Sequence, residues 1–221
     1  MLWLRNRSIR PELLDHARED DARSNLADIV RLNRQFGGHK LILEMLERVA
    51  GREDVFSMLD VGAASGDTAR LVRQNYRRAQ VVSLDLHAQN LGAAPPPKAV
   101  GDAFRLPFQE GAFDFVFCSL FLHHFPDDEV VALLREMHRV ARKALLICDL
   151  ERHVLSWAFL PATWPLFRWH WITMHDGPVS VRAAFTQEEL GGLARRAGIG
   201  SVVARRHRPA FRVSLVAEKG L

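Results

Sequence analysis

Between residues 56 and 150, short apolar runs of strand length alternate with segments whose apolar residues recur at helical spacing. No other feature of the chain constrains its fold as strongly. The strand-like runs are FSMLDV (56–61), VVSLD (81–85), AVGDA (99–103), FDFVFCS (113–119) and ALLICDL (144–150). Helical patterns separate several of them, over 68–78 and over 127–142, where Val130, Leu133, Leu134, Met137 and Val140 share one face behind N-terminal acids. Strands joined through helices pair in parallel, because a parallel crossover needs a dozen or more residues. The expected fold class is therefore α/β, a doubly wound, mostly parallel sheet covered by helices.

The flanks complete that plan. Residues from Pro11 to Ala50 predict helices, with Leu26, Ile29, Val30 and Phe36 on one stripe and Ile42, Met45, Leu46 and Val49 on another, divided at Gly37-Gly38. They are expected to form an N-terminal helical cap over residues 1–50. Thr186-x-x-Glu189 is a capping box that opens a helix ending at Gly198. The runs 201–206 and 211–218, joined through Pro209, predict a closing antiparallel hairpin. Residues 151–185 break the alternation, placing Trp157, Trp164, Trp169 and Trp171 among prolines and histidines. One domain over 1–221 is expected, made of the cap, a core at 51–150, an aromatic lid at 151–185 and a final helix and hairpin at 186–221.

Composition narrows the class. Apolar content of 48% with 25% charged residues is that of a globular protein. Cys118 and Cys148 form no C-x-x-C pair, and the first residues, MLWLRNRSIRPELLDH, lack the apolar stretch of a secretory leader, so a cytoplasmic location is expected. The net charge of +4 and pI of about 9.6 raise the question of a nucleic-acid partner. The arginines are scattered among acids without a basic stripe, and none is expected. No H-E-x-x-H or Cys/His cluster points to a metal site. The apolar run 154–171 is broken by Pro161, Pro165, Arg168 and His170, so it does not read as a bilayer span, though a lid touching a membrane surface fits it.

The stretch MLDVGAASGD (58–67) ends the first strand on Asp60 and turns through Gly62 and Gly66. In an open parallel sheet, ligands bind beyond the carboxyl ends of the strands where strand order reverses. The stretch lacks the G-x-G-x-x-G of a dinucleotide site, and Asp67 stands where a P-loop lysine belongs, so a phosphate ligand is disfavoured. An amino-acid-bearing nucleoside with a positive centre suits it better. Asp85 ends the second strand, where an acid can accept from a ribose diol, and Asp102 follows the third, placed with Ala103 to meet an adenine.

On LDVGAASGD, VVSLD, GDAFRLPF and FDFVFCSLFLHHFPD, residues 56–150 resemble class I S-adenosylmethionine-dependent methyltransferases of the small-molecule type. The resemblance implies a seven-stranded Rossmann-like sheet with an antiparallel last strand, S-adenosylmethionine as cofactor and S-adenosylhomocysteine as product. It sets Asp60, Gly62, Ala63 and Gly66 near the methionine end, Asp85 and Leu86 at the ribose, Asp102 and Ala103 at the adenine, and Ser119 at the end of the fourth strand. One departure is Ala64, where the family usually carries glycine.

Candidate proton acceptors are His123 and His124, which follow the fourth strand at the rim, and His175, whose His175-Asp176-Gly177 reads as a turn. The N-P-P-Y type of motif of many amino-group methyltransferases is replaced by CSLFLHH, which favours transfer to oxygen or carbon of a small acceptor. RLNRQFGGHK and HDGPVSVRAAFTQEEL look like methyltransferases that accompany polyketide synthases making phenolic lipids, which suggests an aromatic, lipophilic acceptor and O-methylation. C-methylation of a quinone precursor and a non-catalytic binding module are the alternatives.

Overall fold

The computed structural model describes residues 4–220, with Asp15 described by its backbone alone. Met1 to Trp3, the start of the segment read as lacking a leader, lie outside the described residues. The alternation after residue 56 yields β1 (Phe56–Val61), β2 (Ala79–Asp85), β3 (Lys98–Val100), β4 (Phe113–Ser119) and β5 (Ala141–Leu150), and the closing pair is β6 (Val202–His207) and β7 (Arg212–Glu218). All seven strands form one sheet in the order β3-β2-β1-β4-β5-β7-β6. The first five pair in parallel, and β7 runs antiparallel to both β5 and β6. Strand order reverses between β1 and β4, which opens a crevice at their carboxyl ends.

Side chains alternate across each strand, so the two faces collect separate cores. Leu59, Val61, Val116, Cys118, Leu145 and Ile147 face α4 (Asp127–Val140) and α7 (Gln187–Arg196). Phe56, Met58, Phe115, Phe117 and Leu146 face α2 (Gly38–Leu46) and α3 (Asp67–Asn75). Complete burial of such side chains contributes roughly 1.5–3 kcal/mol each, which makes the sheet the rigid platform of the molecule. The predicted capping box at Thr186 and Glu189 is present on α7.

Three expectations need correction. The run at 99–103 pairs only through Val100: Asp102 leaves the ladder, and its Oδ1 accepts from the Phe104 N–H at 2.9 Å to make a turn. The N-terminal helix α1 (Glu19–Gln35) does not bury the predicted apolar stripe; Leu26, Ile29 and Val30 are only half-buried, and the buried positions are Asn25, Asp28 and Asn33. Its inner face meets polar groups, with the Asn25 amide donating to Thr173 Oγ1 at 3.0 Å and Asp28 Oδ2 accepting from the His170 N–H at 2.7 Å. Paired polar groups can be buried at little net cost, so an apolar stripe was not required there.

Residues 151–185, expected as an aromatic lid, form two helices, α5 (Val154–Phe167) and α6 (Trp171–Ala183), with Pro161, Pro165 and Pro178 inside them. His175-Asp176-Gly177 is therefore helical rather than a turn. Gly177 serves close packing instead: a Cβ there would lie 2.0 Å from Leu160 Cδ1 of α5. Phe36 clasps this hairpin to the end of α1, with ring centroids 4.8 Å from Phe159 and 5.3 Å from Phe167. Only Leu160 of α5 is buried, and Leu155, Trp164, Leu166 and Trp171 are exposed. No helix among the described residues is long and apolar enough to cross a membrane.

Candidate active site

Parallel pairing brings the carboxyl ends of β1, β2 and β3 side by side. Asp60 pairs with Ser83 across β1 and β2, Asp85 pairs with Val100 across β2 and β3, and Asp102 follows two residues later. The three acids predicted from sequence thus line one edge of the sheet.

Asp60 is 2% exposed, and its Oδ2 has no hydrogen-bond partner among the described residues. Burial, with smaller contributions from the charges of Asp67 and Asp85, pushes its carboxyl up to about 8. A carboxylate so placed is completed by a cation or a donor from a ligand. After it, Gly62 adopts φ 70°, in the left-handed region, and a Cβ there would lie 2.7 Å from the Phe121 ring, so only glycine lets the β1 and β4 loops close against each other. Gly66, also left-handed, caps α3, whose free N–H groups open onto the same crevice. The positive, amino-acid-bearing end of S-adenosylmethionine fits this orphaned carboxylate and bare turn.

Asp85 is more heavily engaged than expected. Its Oδ1 accepts from the His87 N–H at 3.1 Å and the Asn90 amide at 2.9 Å, and its Oδ2 accepts from the Ala64 N–H at 3.1 Å. A carboxylate has about four acceptor positions. One remains, so a ribose diol takes both of its bonds only by displacing one of these donors. Leu86, next in the chain, is 59% exposed, Ala103 is buried in the core, and Ser119 is half-buried at the end of β4.

On the other side of the crevice, the β4 and β5 ends carry a buried polar cluster. His123 Nδ1 lies 2.7 Å from Asp149 Oδ1, and Asp149 also accepts from the His123 and Leu150 N–H groups at 3.3 and 2.7 Å. The His124 ring lies against that of His123, tilted by 32° with centroids 4.2 Å apart. Burial alone would lower the His123 pKa, but the charge and hydrogen bond of Asp149, with a smaller push from Glu12, hold it above the ordinary value. Burial and the neighbouring His123 press His124 down to about 3.

Glu12, absent from the sequence-derived site, completes the group: its Oε1 is 3.8 Å from His123 Nε2 and 3.9 Å from His124 Nδ1. It is carried by an extended N-terminal strap. The Arg7 guanidinium donates to Ala183 O at 2.7 Å and Phe125 O at 2.9 Å, and stands 4.1 Å over the Phe185 ring. Downstream, Asp176 accepts from the Leu13 and Leu14 N–H groups at 2.9 and 3.0 Å. The Ser180 hydroxyl also donates to Glu12. His175 does not share this arrangement: its side chain is 51% exposed and bonded to Asp176. A signal for Glu12 existed only in the run PELLD, which carries no motif on its own.

Residues 59–147 match a family described as a methyltransferase domain. Over 176 residues the chain is 30% identical to an uncharacterized methyltransferase, sll0829, of Synechocystis, covering 76% of each. Over 106 residues it is 32% identical to malonyl-[acyl-carrier protein] O-methyltransferase 1 of Coxiella burnetii, covering 48% of this chain and 36% of the relative. The chain spans between about a third and about half of the length of the first curated relatives it matches. Among solved structures, magnesium protoporphyrin IX methyltransferase from Synechocystis with bound SAH superposes with a TM-score of 0.57 at 16% identity, covering 83% of this chain and 84% of that one.

Proposed function

This chain belongs to the class I S-adenosylmethionine-dependent methyltransferases, and from that premise we propose that it methylates an oxygen of a small, aromatic and lipophilic acceptor. The observation that carries the proposal is the orphaned, buried Asp60 carboxylate at the head of a row of strand-end acids. Asp60 and the Gly62–Gly66 turn would hold the methionine end, Asp85 the ribose, and Asp102 with Ala103 and Leu86 the adenine. When bound, the cofactor supplies a methyl group on a sulfonium, transferable to a nucleophile aligned with it.

The chain's own residues then set the acceptor. The strap from Arg7 to Leu14 and the α5–α6 hairpin cover the β4–β5 side and keep water from the transfer. His123, His124 and Glu12 provide the polar face that meets an acceptor hydroxyl. The exposed apolar side chains of the hairpin suit a hydrocarbon tail or the surface of a lipid layer that contains the acceptor. O-methyltransferases among the relatives support oxygen as the site of transfer, and a demethylmenaquinone methyltransferase, 37% identical over 91 residues, supports the alternative of transfer to carbon.

The test is incubation of the purified chain with isotopically labelled methyl donor and alkylresorcinol or quinol acceptors, with products identified by mass spectrometry. Label in an aryl methyl ether supports the proposal. Label on a ring carbon moves the assignment to C-methylation of a quinone precursor, and cofactor binding without turnover on any acceptor overturns the enzymatic reading.

A further inference from the structure

We propose that Glu12, His123 and His124 form a binding site for one divalent transition-metal ion, with Zn²⁺ the best match by ligand chemistry. One oxygen and two nitrogens, Glu12 Oε1, His123 Nε2 and His124 Nδ1, all lie within 4.8 Å of one another. The Glu12 oxygen is 3.8 and 3.9 Å from the two nitrogens. Ligand bonds of about 2.0–2.1 Å in a tetrahedral site set neighbouring donors roughly 3.4 Å apart, so closure needs a shift of about half an ångström for each Glu12 pair and of up to about 1.4 Å between the two histidine nitrogens.

Burial and support from neighbouring groups distinguish this cluster from a chance meeting of surface groups. The side chains of His123 and Glu12 are 4% and 8% exposed. His123 Nδ1 donates to the Asp149 carboxylate, which leaves Nε2, 3.8 Å from Glu12, as the ring nitrogen that would give up its proton to bind a metal. Metal-bound histidines are commonly held by such a carboxylate. Ser180 braces Glu12, and the strap that carries it is pinned on both sides, by Arg7 and by Asp176. Two histidines and one glutamate are also a ligand set that leaves a fourth position open to an exogenous ligand.

The acceptor oxygen of the proposed transfer is the ligand we assign to that fourth position. This last step rests on the proposed function, whereas metal binding itself does not. A coordinated hydroxyl gives up its proton more readily, passing it to solvent as the acceptor enters and before the methyl transfer, which would suit transfer to oxygen.

The experiment strips the full-length chain with a chelator, then titrates it with Co²⁺ and Zn²⁺ without methyl donor or acceptor. One ion per chain is expected, and Co²⁺ should show the intense visible bands of a four-coordinate site. His124→Ala, which changes the most exposed of the three ligands and so is the least disruptive to folding, should abolish stoichiometric binding. Asp149→Asn should weaken it about 10–100-fold. His138→Asn, at the opposite end of the sheet, should leave it unchanged. No stoichiometric binding, or binding that survives H124A, overturns the site. Addition of a phenol alone should shift the Co²⁺ bands; if they do not move and methyl transfer is indifferent to chelator, the acceptor role fails while the proposed transfer stands.

Discussion

Asp85 Oδ2 accepts a hydrogen bond from the Ala64 backbone N–H at 3.1 Å, so the acid proposed for the ribose also holds the turn proposed for the methionine end. Ala64 pays for this contact with φ 43°, a left-handed conformation that costs an L-residue about 1–2 kcal/mol. Glycine would remove the strain while adding freedom to the unfolded chain. Ala64→Gly is therefore expected to raise stability by up to ~1 kcal/mol, read as a higher urea midpoint with an unchanged slope. A lower midpoint would show that Ala64 is unstrained.

Asp60 links cofactor affinity to stability. Its carboxyl rises from an unfolded value near 3.9 to about 8 in the fold, chiefly through burial and then through Asp67 and Asp85. Between those values the native state keeps a proton that the unfolded chain has released. The native state is thus favoured most below about pH 4 and loses this contribution as pH rises toward 8. Asp60→Asn should flatten that part of the pH–stability curve and raise the urea midpoint at pH 8 relative to the parent, while weakening S-adenosylmethionine binding. In the parent, binding of the cationic cofactor near pH 7 should release a proton, detected by calorimetry in buffers of different ionisation enthalpy. Equal pH profiles for the two proteins would refute the assignment.

The crevice was legible because its cause is local. Asp60, Gly62, Gly66, Asp85 and Asp102 sit at strand ends that the period of the apolar residues marks out, and the sheet topology follows from the helices between them. The cluster on the β4–β5 side was not, because its groups come from distant parts of the chain: Glu12 of the N-terminal strap stands beside His123, and Asp149 approaches it through the pairing of β4 with β5. Nor did the apolar pattern of α1 disclose that Asn25, Asp28 and Asn33 would face inward, since the partners of Asn25 and Asp28 lie on and just before α6 and the partner of Asn33, Arg212, lies on β7. Pro161 and Pro165 read as interruptions of a bilayer span, and the helix that forms around them is indeed not long and apolar enough to cross one.

Arg7 pins the strap through an 8% exposed side chain with several acceptors. Arg7→Ala leaves the carbonyls of Ala183 and Phe125 without that donor and should cost about 2–4 kcal/mol. Its kinetic signature should be a higher acceptor KM with little change in cofactor affinity, because the strap covers the β4–β5 side alone. Parallel losses in both would place the strap over the cofactor instead.

Trp164 and Leu166 are 44% and 78% exposed on α5. Replacing both with serine should alter stability by less than about 0.5 kcal/mol per site. The same change should raise KM for a long-chain phenol and reduce co-sedimentation with phosphatidylglycerol vesicles. Unchanged values for both would remove the hairpin from acceptor recognition.

The central claim is that the strand-end acids gather around one adenosyl cofactor, and calorimetric titration of the full chain with S-adenosylmethionine tests it most directly. One molecule should bind per chain, with affinity falling at least tenfold in Asp85→Ala and little in His138→Asn. An absence of binding heat at any temperature between 10 and 35 °C, or an Asp85→Ala protein that binds like the parent, would contradict it.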